Sequence, residues 1–127
     1  PWSFLLALRP SLAPHAVVAA TVANVNNLVV MDEIIGGDFR YGFDGGSVPN
    51  DQLRYFTSDG VKKMFAETGY EIAAFSCVPD PRCEGIDRQR EGTYGIETER
   101  FIIKNTTAET RAEITAAGFV VIARASA

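Results

Sequence analysis

The sequence predicts an α/β fold on three observations. A helical pattern ends at Pro14 and gives way at once to a short run, His15 to Ala23, that is apolar almost throughout. A second succession of helix then strand runs from Thr57 to Val78, and Gly118 to Arg124 closes the chain as a further strand. Helices alternating with short apolar strands point to helix-on-sheet layers.

Trp2, Phe4, Leu5, Leu8 and Leu12 recur at helical spacing and predict a helix over 2–13, with Pro1 at a first-turn position where its missing N–H is no loss. A chain that opens on Pro1 inside an apolar helical pattern leads us to expect residues upstream of it. Pro14 and His15 stop the helix. The run 16–23 reads as a strand buried on both faces, as in the interior of a parallel sheet, and so as part of a βαβ unit whose first strand lies upstream.

Asn24 to Asn27 form a polar break, after which Leu28, Met31, Ile34 and Ile35 mark one face of a helix from about Val25 to Ile35. Gly36-Gly37 end it, since glycine enters the left-handed conformation of a helix end without strain. Residues 38–56 are rich in Gly, Pro, Asn and Asp and interleaved with Phe39, Tyr41, Phe43, Tyr55 and Phe56. A loop this long in a compact domain reads as functional or mobile, here as a lid.

Thr57 offers an N-cap for a helix carrying Val61, Met64 and Phe65 on one face. Gly69 follows that helix, Tyr70 to Val78 reads as a strand, and Pro79 and Pro81 stop it. Residues 82–96 read as an exposed loop of mixed charge. Arg100 to Lys104 reads as a short strand, and 107–116 as a helix led by Thr106 or Thr107. No repeat or domain boundary interrupts 1–127, which we take as a single domain.

Composition narrows the function. The chain is 46% hydrophobic and 22% charged, the balance of an ordinary globular domain. With a net charge of −4 and no basic run, it lacks the electrostatic footprint of a nucleic-acid binder. No stretch is long and apolar enough to span a bilayer, and none reads as a signal peptide, so a cytoplasmic location is expected. The two cysteines, Cys77 and Cys83, have only the remote His15 as a further soft ligand. They read as reduced thiols rather than a metal site.

Few chemical motifs stand out. Gly36-Gly37, Gly42 and Gly45-Gly46 follow a helix, whereas a phosphate-binding loop sits between a strand and a helix, so turn glycines are the stronger reading. His15 has no nucleophile in a recognisable pattern with it. Asp32, Glu33 and Asp38 could act as acid or base, but a solvated helix face is the default reading. Phe39, Tyr41, Phe43, Arg54 and Tyr55 could line a pocket at the carboxyl ends of the strands, where open α/β sheets bind ligands.

Several strings, in order, resemble the back half of class I S-adenosylmethionine-dependent methyltransferases. Pro1-Trp2 through Ala13-Pro14 resembles the helix before that family's fifth strand, and Val17 to Val25 the fifth strand with its following turn. Gly37-Asp38-Phe39-Arg40-Tyr41 and Leu53-Arg54-Tyr55-Phe56-Thr57 resemble the "G-x-[FW]-x-Y" and "L-R-F-F-T" segments of a subgroup that acts on sugars and other small metabolites. Glu67 to Ile72 resembles the entry to the sixth strand, and Phe119 to Ala125 the antiparallel seventh strand that closes the sheet.

The resemblance implies a partial Rossmann-like sheet built from the fifth, sixth and seventh strands. It also implies an acceptor pocket lined by Asn24, Tyr41, Arg54 and Tyr55. The family's G-x-G turn and ribose-binding acid would lie upstream of Pro1, so this chain alone should bind S-adenosylmethionine weakly or not at all. Where the subgroup carries a histidine before "L-R-F-F-T", this chain has Gln52, which holds no titratable proton at neutral pH. That substitution supports the alternative of a non-catalytic binding or assembly module. In either case an uncovered strand 16–23 or helix 2–13 should join copies of the chain into a homo-oligomer.

Overall fold

The computed structural model describes residues 1–40, 54–85, 87–90 and 93–126, with the backbone alone at 87–90 and 93–94. Among these residues the elements follow as α1 (Trp2–Leu8), β1 (Val17–Ala23), α2 (Leu28–Gly36), α3 (Ser58–Glu67) and β2 (Tyr70–Pro79). After them come β3 (Asp87–Arg90), β4 (Thr93–Glu97), β5 (Ile102–Thr106), α4 (Ala108–Ile114) and β6 (Ala116–Ala125). The fold is mixed α/β, with two three-stranded sheets ordered β1-β6-β2 and β3-β4-β5.

Every paired strand is antiparallel to its neighbour, which corrects the parallel interior expected for residues 16–23. Among the described residues β1 pairs only with β6, from Val17↔Arg124 to Ala23↔Gly118, and so lies at an edge of its sheet. One face of β1 is covered: Val18, Ala20 and Val22 pack on the core, while Val17, 51% exposed, and the side chains of Ala19 and Thr21 point away. The outward side chains are small and mostly apolar, so the sequence hid the period-two burial that the strand adopts. β2 pairs with the other side of β6, with a bulge between Ile72 and Ala74. Since β1 and β2 are each antiparallel to β6, they run in the same direction.

α2, α3 and α4 each start at a side-chain cap. Asn27 accepts from the amides of Val29 and Val30, Thr57 from Gly60, and Thr107 from Thr110. Gly37 ends α2 at φ 75°, a conformation that other residues rarely adopt. α1 and α3 cover one face of the first sheet. Leu5, Val61, Met64 and Phe65 meet Tyr70, Phe119, Val121 and Ala123 there, and the Tyr70 hydroxyl donates to the Leu5 carbonyl at 2.9 Å.

The second sheet is a finding of the structure, since 82–96 was expected to be a loop. Asp87↔Ile96 to Arg90↔Thr93 form a hairpin, and β5 extends it. A second core of Leu28, Cys83, Ile96 and Ile114, flanked by Val29, Phe101 and Ile103, docks this sheet against α2 and α4. Its sequence signal was present but faint: Glu91-Gly92 stands between two short segments, a spacing typical of hairpins.

Candidate functional site

The carboxyl ends of β1 and β2 are tied together by buried polar side chains. Asn27 Nδ2 donates to Asp80 Oδ2 at 3.1 Å and to the Ala116 carbonyl at 2.9 Å, while its Oδ1 caps α2. Asp80 in turn accepts from Arg82 Nε at 3.0 Å and from Arg82 Nη2 at 2.7 Å. The Arg82 hydrogen bonds hold the Asp80 carboxyl below its ordinary pKa against the opposing effect of burial. Burial and the Asp80 charge push the neighbouring Cys83 thiol up. Both Cys77 and Cys83 are free thiols. The polar hub fixes where α2 starts relative to the turn after β2.

Beside that hub lies a cleft of about 650 Å³, between α2 and the connection from β4 to β5. Leu28 and Val29 supply its apolar lining, Asp32 and Glu33 one polar wall, and Glu97, Thr98 and Glu99 the other. Its volume falls in the range of small-molecule sites. Arg100 pairs with Asp32 and, at 3.2 Å, with Asp38. The Glu33 charge also acts on Arg82. Asp32 Oδ1 is buried and has no hydrogen-bond partner among the described residues. Such a wall of carboxylates accepts hydrogen bonds from hydroxyl or amine groups and can take up a proton from them.

The residues expected from the sequence are placed nearby, with different partners. Asn24 is 3% exposed. Its Nδ2 donates to the carbonyls of Glu113 at 2.7 Å and Ala116 at 3.0 Å, and its Oδ1 accepts from the Asn26 amide at 2.9 Å. It also lines a smaller cavity of about 210 Å³ with Thr57 and Asp59. Phe56 bridges to Asn24 as a short parallel pair, and Tyr55 meets Phe39 edge-on at 6.4 Å. The structure thus brings Asn24, Tyr55 and Phe39 to one end of β1. Arg54 is exposed beside them. Tyr41, Gln52 and most of the loop 38–56 lie outside the described residues. Glu97, Glu99 and Arg100 were not foreseen as site residues, and Arg100, read as the start of a short strand, lies in the turn before β5. Asp32 and Glu33, read first as a solvated helix face, line the cleft.

Two turns follow the like-directed strands. Buried asparagine side chains fill the one after β1, and the one after β2 is a 3-10 turn at Pro81–Cys83 capped by Asp80. Among the described residues no cluster of His, Cys, Asp and Glu is arranged to hold a metal ion, and no helix is long and apolar enough to cross a membrane. What fold and site define is a mixed α/β chain with an acidic cleft at the carboxyl ends of two like-directed strands. No protein-family model matches the chain, and no curated protein sequence does.

Proposed function

We propose that this chain is the acceptor-binding side of an S-adenosylmethionine-dependent methyltransferase acting on a small molecule, of the sugar or related metabolite class. The observation that carries the reading is the direction of β6. Antiparallel to both neighbours and lying between two strands that run together, it suits the role of the seventh strand beside the fifth and sixth. The cleft at the carboxyl ends of β1 and β2 is where such sheets bind ligands.

In this reading the residues of the chain bind and orient the acceptor. Leu28 and Val29 pack on its apolar part, and the carboxylates of Asp32 and Glu33 accept from the hydroxyl or amine that is to be methylated. Glu33 serves as the base for an acceptor that must lose a proton, and Asp32, held by Arg100, orients that acceptor. The test is methyl transfer by the complete natural protein with Asp32→Asn and Glu33→Gln. Loss of a positioned base typically lowers turnover about 10²–10⁴-fold, so kcat should fall in Glu33→Gln, and KM for the acceptor should rise in Asp32→Asn. Unchanged kcat and KM in both variants would remove the cleft from the reaction.

A second reading, a non-catalytic assembly module, rests on a different observation. The outer edge of β1 from Val17 to Ala23 has no strand partner among the described residues, and Phe4 and Leu6 of α1 are exposed. Both readings include a second copy of the chain as partner, through strand 16–23 or helix 2–13.

A further inference from the structure

We draw no further inference here: the strongest candidate, the face of the β1-β6-β2 sheet turned away from α1 and α3, where Val17 and Val78 are exposed and Val120 and Ile122 only half-buried, carries nothing because nothing in the structure shows what covers it.

Discussion

Asn27 and Asp80 carry more of the local structure than any pattern in the sequence suggests. Asn27 caps α2 with one side of its amide and holds Asp80 and the Ala116 carbonyl with the other. A cap alone contributes about 1 kcal/mol, and each buried acceptor left without its donor costs about 1–3 kcal/mol. Asp80 adds a pH dependence with a definite sign. Its folded pKa is lowered, chiefly by the Arg82 hydrogen bond. The stability it contributes is therefore complete above the unfolded carboxylate's value of about 3.9 and is lost as pH falls through the lower folded value. Urea midpoints measured against pH should accordingly fall less steeply below about pH 4 in Asp80→Asn than in the native chain. Equal slopes would mean that the Arg82 pair contributes nothing to acid stability. The polar break at Asn24–Asn27 was legible from the sequence, but this hub was not, because its partner Asp80 lies 53 residues away.

Among the elements, β1 was the most legible in extent and the least legible in setting. Its residues, the glycine stop of α2, the capped start of α3 and the closing strand β6 all follow from local chemistry. Which strands pair does not, since that depends on contacts between distant segments. Val17 to Ala23 is apolar on both faces, so the alternation that would have marked an edge strand was absent. The hairpin β3–β4 escaped notice for the converse reason: its charged residues read as solvent-facing loop. The exposed edge of β1 carries no charged or proline residue to blunt it, and such edges recruit further strands. Light scattering at high concentration should find dimers or larger species, and Thr21→Lys, which places a charge on that strand, should shift them toward monomer. A native chain that remains monomeric throughout would remove β1 as an assembly surface.

At the scale of the molecule, two cores divide the work. The first, under α1 and α3, holds the sheet β1-β6-β2, and the second docks the smaller sheet on α2 and α4. The cleft lies where the second core meets the carboxyl ends of the first sheet. The carboxylates on α2 were therefore visible in the sequence, and the rest of its polar lining waited on a sheet that the sequence barely signals. The acceptor-side reading makes the cleft one part of a site whose cofactor is held by residues outside those described. The most direct test is a calorimetric titration of the complete natural protein with S-adenosylhomocysteine. The account predicts binding in the micromolar range, about −8 kcal/mol, that persists in Asp32→Asn and Glu33→Gln, because those residues serve the acceptor. No heat of binding at millimolar ligand would contradict the methyltransferase reading and leave the acidic cleft to another chemistry.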